Sequence, residues 1–149
     1  MTLLIEPAAG GDLAAIVALL GQAQLPHSDL GVHSLAQFLV ARVEGATGLV
    51  AAVGIEAVMP SGLLRSLVVA DTQRGLGLGA KLLEAVEARA RELGIEELIL
   101  LTTSAEPFFV RHGYARIARA DAPLGLRATS EFASLCPASA VCMRKRLRA

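Results

Sequence analysis

The chain has no tryptophan, and its aromatic residues are one Tyr and four Phe among 149 residues. Its interior must therefore be built from Leu, Val, Ile and Ala. It has no charge of one dominant sign: fourteen basic residues balance fourteen acidic ones. That balance argues against a general nucleic-acid binder, which needs a cationic face. There are two cysteines, Cys136 and Cys142, without Cys-x-x-Cys or His-rich spacing, so no zinc or other metal site is expected. The spacing leaves a disulfide open, but nothing suggests export, and free thiols are the expectation. There is no long hydrophobic run. The apolar stretch Leu13–Leu20 is too short to span a bilayer, lacks a preceding basic region, and follows Glu6 and Asp12. A cytoplasmic protein with neither membrane nor nucleic-acid partners is expected. What is there is apolar: 54% of residues are hydrophobic, enough for a core without staples. The length suits one domain over 1–149.

Period and punctuation place the elements. Thr2–Glu6 reads as a first strand, and Asp12 as the N-cap of a helix carrying Leu13, Ile16, Val17 and Leu20. Gly21–Gly31 is loop, with a short helical piece at Leu30–Ala36. Phe38–Val43 and Leu49–Val58 read as a hairpin across Glu44–Gly48, and Met59–Gly62 turns into a strand, Leu63–Val69. Gly77–Leu93 is an amphipathic helix with Leu78, Leu82, Val86 and Ala90 on one stripe and a Glu87–Arg91 pair outside. Gly94 caps it. Glu97–Thr102 is a buried strand, Ala105–His112 a short helix, and Tyr114–Ile117 a strand. Leu124–Leu135 has helical spacing, and Ala140–Leu147 is the last strand. This order predicts a mixed α/β sheet with one right-handed βαβ crossover. The apolar last strand could pair with a second subunit as a homodimer. The only basic cluster, Arg144–Arg146 with Arg148, reads as a solvated end.

The most informative segment joins the Leu63–Val69 strand to the long helix through Arg74-Gly75-Leu76-Gly77-Leu78-Gly79. Glycines let successive N–H groups point into one concavity, and the helix adds unpaired N–H groups and its positive dipole end. That is a seat for a phosphate or pyrophosphate. A structural reading is a tight strand-to-helix connection. The preceding strand, the arginine and the helix favour the phosphate. A triphosphate P-loop requires Gly-Lys-Ser/Thr, but here Lys81 follows Gly79 by two and precedes Leu82. Dinucleotide Gly-x-Gly-x-x-Gly spacing is also absent. Arg74-x-x-Gly77-x-Gly79 fits the acetyl-CoA loop, Gln/Arg-x-x-Gly-x-Gly/Ala, without a gap.

On that motif the chain resembles the GNAT acetyltransferase superfamily. Leu63-Leu-Arg-Ser-Leu-Val-Val69, Leu100-Leu-Thr-Thr-Ser-Ala-Glu-Pro-Phe-Phe109 and Arg127-Ala-Thr-Ser-Glu-Phe-Ala-Ser-Leu-Cys-Pro-Ala-Ser-Ala-Val-Cys-Met143 are similar to its arsenic-resistance N-acetyltransferase branch. That branch is similar in turn to short amino-acid acetyltransferases of the glutamate type. The resemblance implies a sheet of six to seven strands, mostly antiparallel, with a splayed central parallel pair flanked by helices. It implies acetyl-CoA as cofactor, with its pyrophosphate on Arg74, Gly75, Leu76, Gly77, Leu78, Gly79 and Ala80. The pantetheine arm would pair with the backbone of Leu67, Val68 and Val69 as an added strand. A backbone N–H near Leu67 would meet the oxyanion. One position departs from the family. In Phe108-Phe109-Val-Arg-His-Gly113-Tyr114, Phe109 stands where many members have the Tyr that protonates the leaving thiolate. Phe109 is expected beside the cofactor, and Tyr114 as a packing aromatic.

The acceptor must present a neutral amine. An α-amino group with pKa about 8 is roughly a tenth deprotonated at pH 7, against under about a thousandth for a lysine. Little help is then needed, and Glu56, after apolar Val53–Ile55, is the candidate base. Its bland reading is a strand-end carboxylate. Thr103, with Thr102, Ser104 or a water, is a candidate proton donor, and Ser66 is a candidate to assist beside Arg65. Arg65 interrupts an apolar run, so it meets a ligand, a partner or the solvent face; a guanidinium can fork a substrate carboxylate. Arg127 is a second anion candidate and Cys136 a thiol near the substrate. His27, His33 and His112 read as surface or helix-end residues. The expected activity is acetyl transfer to a small amino-acid-like amine, in arsenical or toxic amino-acid resistance. Two alternatives stand beside it: metabolic glutamate-type acetylation, and a CoA-binding sensor without turnover.

Overall fold

The computed structural model describes residues 2–45 and 48–147. Ala46 and Thr47 of the expected Glu44–Gly48 loop, and Arg148 of the basic cluster, lie outside the described residues. Among the described residues there are seven strands: β1 Leu3–Pro7, β2 Phe38–Val43, β3 Ala51–Val58, β4 Ser61–Val69, β5 Glu97–Thr102, β6 Ala115–Ile117 and β7 Val141–Arg146. They form one sheet in the order β1-β2-β3-β4-β5-β7-β6. The helices are α1 Leu13–Gln22, α2 Leu78–Glu92, α3 Glu106–Arg111 and α4 Leu124–Arg127. The sheet is mostly antiparallel, with β4 and β5 as its parallel pair, which is the class the sequence predicts. The chain divides into two compact units, Met1–Ile55 with Ser66–Ala88, and Glu56–Arg65 with Arg89–Ala149.

The first unit is built on the β1–β2–β3 meander. Phe38 of β2 stands opposite Gly54 of β3. A Cβ placed on Gly54 would lie 2.3 Å from the Phe38 ring, so the ring occupies the space a side chain would need. The ring cannot swing away, because it is 1% exposed and packed among Ile16, Leu20, Leu35, Val40 and Val68. Asp12 precedes α1 as expected, but its side chain does not cap the helix. One oxygen accepts from the Ala9 N–H at 2.8 Å, and the other accepts from Arg42 of β2. The Ala9 bond and the Arg42 guanidinium hold the Asp12 carboxyl below its ordinary range.

Helix α2 buries Leu78, Leu82, Leu83, Val86 and Ala90, as its period predicts. Glu87 is a correction: it is buried, not on the outer face. Its helical phase explains this, since Glu87 lies on the same side as Leu83, four residues back, and Ala90, three ahead. Gly94 ends the helix at φ +83°, with Gly94 N–H to Arg91 O and Ile95 N–H to Ala90 O.

The second unit surrounds β5. Its ladder with β4 pairs Ser61, Gly62 and Leu63 with Glu97, Leu98 and Ile99, and its other edge pairs along its whole length with β7. The last strand is therefore not a free edge for a second subunit. Cys142, Met143 and Arg144 of β7 pair with β5 on one side and β6 on the other. Leu63, Ile99, Leu126, Phe132 and Cys142 form the core here. The single helix expected over Leu124–Leu135 is broken into α4 and a wide turn, Glu131–Leu135. The Thr129 hydroxyl bonds the Leu126 carbonyl at 2.6 Å, and such a bond competes with the helical ladder. The chain then resumes with Cys136 N–H bonding Glu131 O, five residues back.

Two outcomes follow for stability. Gly54→Ala should cost about 1–3 kcal/mol in urea unfolding, because the Phe38 ring must move within a filled core. Asp12→Asn should cost about 1 kcal/mol at neutral pH. A carboxyl whose folded pKa is lowered stabilises above its unfolded pKa, and that contribution is lost as pH falls through the folded value. The gap between Asp12→Asn and the parent should therefore close as pH falls below the ordinary carboxylate range, about pH 4.

Candidate functional site

The glycine loop lies in the first unit. β4 leads into a short 3-10 turn, Asp71–Gln73, and α2 starts at Leu78. Gly75 has φ +83° and Gly77 φ +75°, conformations that L side chains rarely adopt. A Cβ on either would meet no atom within 4 Å. These glycines therefore serve backbone direction, and the space beside them is open. Lys81 N–H to Gly77 O opens the α2 ladder at 3.2 Å. The N–H groups of Leu78, Gly79 and Ala80 precede that bond and have no carbonyl of their own helix to meet. They and the dipole end of a 15-residue helix can hold an anion. Arg74 is exposed, pairs with Asp71 at 3.1 Å and reaches the Val69 carbonyl at 3.4 Å. Such an exposed pair contributes little to stability and leaves the guanidinium at the surface. Leu67 and Val69 are half-buried, whereas Val68 packs into the core.

A charged cluster lies in the second unit. Arg65 is buried, with its side chain 1% exposed. Its Nη1 donates to Glu56 Oε1 at 2.7 Å, and its Nη2 is 3.4 Å from Glu131 Oε1. Glu131 is buried as well, whereas the Glu56 side chain is 35% exposed. Arg65 does not face solvent, and its guanidinium takes protein carboxylates as partners. Burial requires this, because a guanidinium out of water needs both charge and hydrogen-bond compensation. Ser66, the next residue along β4, is buried with φ +61°. A left-handed residue inside a strand bends the chain, as a bulge does. The Glu131–Arg65 pairing was not anticipated from the sequence. Its only signal in the sequence is one acidic residue inside the Arg127–Met143 segment. Nothing in the sequence marks the Ser66 backbone, where glycine or asparagine would be usual.

The other candidates are dispersed. Phe109 is buried, its ring 5.5 Å from Tyr114 at 70°. Tyr114 is buried too, with Lys145 Nζ 5.7 Å from its ring centre. Thr103 is exposed, and the Thr102 hydroxyl accepts from the Ala105 N–H. Arg127 is exposed on α4. Cys136 is half-buried and Cys142 buried, both as free thiols; burial raises the Cys142 pKa. His33 is exposed, His27 half-buried, and His112 stands against Phe108 at 4.6 Å. Among the described residues no group of three or more His, Cys, Asp or Glu could hold a metal ion. No helix among them is long and apolar enough to cross a membrane.

The profile of the GNAT acetyltransferase domain matches residues 34–116, more than half of the chain. The chain belongs to the GNAT acetyltransferase family. This GNAT domain is 40% identical over 62 residues to an amino-acid acetyltransferase of Ralstonia nicotianae, covering 42% of this chain and 14% of that protein. It is similar in fold to N-acetylglutamate synthase from Neisseria gonorrhoeae, solved with coenzyme A and N-acetyl-glutamate. The TM-score there is 0.85 at 21% identity, covering 100% of this chain and 36% of the synthase. An acetyltransferase of the GNAT family from Staphylococcus aureus matches with TM-score 0.77 at 19% identity, over 99% of this chain and 100% of that one. The GNAT domain thus spans a small part of the curated relatives it matches.

The Ser66 backbone can be tested directly. Ser66→Val should cost about 1–2 kcal/mol in urea unfolding, since a β-branched residue resists the left-handed region. Ser66→Gly should stay within about 1 kcal/mol of the parent.

Proposed function

We propose that residues 1–149 act as one catalytic domain that transfers an acetyl group from acetyl-CoA to the amine of a small amino-acid-like acceptor. The observation that carries this reading is the Arg74–Ala80 loop: two positive-φ glycines facing open space at the start of α2. A GNAT domain with that loop is suited to the CoA pyrophosphate. Amino-acid acetyltransferases among its relatives support the acceptor class.

In this reading Leu67, Val68 and Val69 offer backbone to the pantetheine arm, and an N–H near Leu67 receives the oxyanion. The acceptor nitrogen attacks the thioester carbonyl carbon and a C–N bond forms. The C–S bond then breaks and the electron pair leaves on sulfur. Glu56, directly or through water, takes the proton that the nitrogen loses. The thiolate needs little assistance, since a thiol has a pKa of about 8.5. The buried Phe109 therefore does not forbid turnover, and Thr103 or water can return a proton. Phe109 nonetheless favours a second reading, a CoA-binding sensor without chemistry. We place the natural acceptor among toxic amino-acid-like molecules, including arsenicals, and the reaction in the cytoplasm. Glutamate-type metabolism is the rival on the same fold.

Thiol release from acetyl-CoA over a panel of amino acids and amino-acid-like arsenicals is the test. Turnover on at least one α-amine is expected. Preference for an arsenical over glutamate supports resistance, and the reverse supports metabolism. Tight CoA binding without thiol release on any amine would establish the sensor. Gly77→Val should weaken CoA binding at least about tenfold in calorimetry, because its φ excludes a branched side chain.

A further inference from the structure

Glu56 and Glu131 both stand within ion-pair distance of the Arg65 guanidinium. One carboxylate would neutralise the buried cation, and Glu131, itself buried, is placed to do so. The second partner, Glu56, has water within reach and needs no ion pair for its own solvation. Its 2.7 Å bond to Arg65 Nη1 therefore does something other than satisfy Glu56: it fixes the direction of that carboxylate. A carboxylate accepts at about four positions, so this bond leaves capacity on the exposed side. Arg65 can hold Glu56 only while it is itself held. Its planar fork transmits direction, because its nitrogens are rigidly related. Glu131 supplies the far anchor from the wide turn Glu131–Leu135, a departure from α-helical winding of a kind frequent at functional sites.

We propose that Glu131 and Arg65 are positioning residues: Glu131 fixes the guanidinium, the guanidinium fixes Glu56, and Glu56 receives the acceptor's ammonium group on its exposed side. This assigns Arg65 a different task from the substrate-carboxylate fork considered from the sequence. The inference rests on the reading that Glu56 meets the acceptor's amine.

The experiment is a double-variant cycle on the full chain, with acceptor kinetics and CoA calorimetry in parallel. Glu131→Gln should lower kcat/KM for the acceptor at least about tenfold, with CoA affinity unchanged within about twofold. Glu131→Asp, which keeps the charge, should recover part of the loss. Arg65→Lys keeps the cation but not the fork, and should lose a similar amount. The double variant Arg65→Lys with Glu131→Gln should be no worse than the poorer single. Wild-type acceptor kinetics in folded Glu131→Gln would overturn the proposal, and so would losses that multiply in the double variant. If Glu131→Gln fails to fold, Arg65→Lys decides it alone: wild-type acceptor kinetics in that folded variant would equally overturn the proposal. Absence of turnover by the parent chain on every amine would instead remove the reading of Glu56 beneath this inference.

Discussion

A guanidinium cannot leave water alone, and the burial of Arg65 sets the terms for everything around it. It sits in β4 with buried neighbours from Ser61 to Ser66. Glu56 on β3 and Glu131 on the wide turn before β7 stand against its guanidinium as anionic partners. Two segments far apart in sequence are thereby tied to one side chain. An apolar core of Leu63, Ile99, Leu126, Phe132 and Cys142 lies in the same unit. In such surroundings an incomplete set of partners would be more costly than at the surface.

The glycine loop works by a different principle. Its exposed residues make few demands on packing, and the built Cβ positions of Gly75 and Gly77 meet nothing. What the loop supplies is backbone direction at the start of a long helix. This is why the loop could be read as a motif: its backbone course depends on residues adjacent in sequence, with glycine at its two positive-φ positions. The Asp71–Arg74 pair is exposed and weak, so nothing rigid shields the arginine from an anion.

The elements were legible wherever one local pattern decided them. β2 and β5 fall on their expected bounds, and α2 departs by one residue at each end. Gly94 ends α2 with both bonds of its cap in place. The failures have local causes too. Leu124–Leu135 has helical spacing, but spacing does not register that Leu126 O takes both the Thr129 N–H and the Thr129 hydroxyl, three residues on. Glu87 was placed outside because it is charged, although its phase put it beside Leu83. Asp12 was correctly located before α1, but Arg42, thirty residues away, drew its carboxylate elsewhere.

The sequence by itself determined the family, the mixed sheet and the glycine loop ahead of α2. Each depends on periodicity or on neighbours along the chain, and both survive in a one-dimensional record. The tertiary structure alone decided that Arg65 is enclosed and that Glu131 is among its partners. It also placed strands on both sides of β7 and turned the chain over at Ser66. Those outcomes depend on which distant groups meet once the apolar faces are buried. The charge of a residue says that it needs a partner, and only the fold says which one.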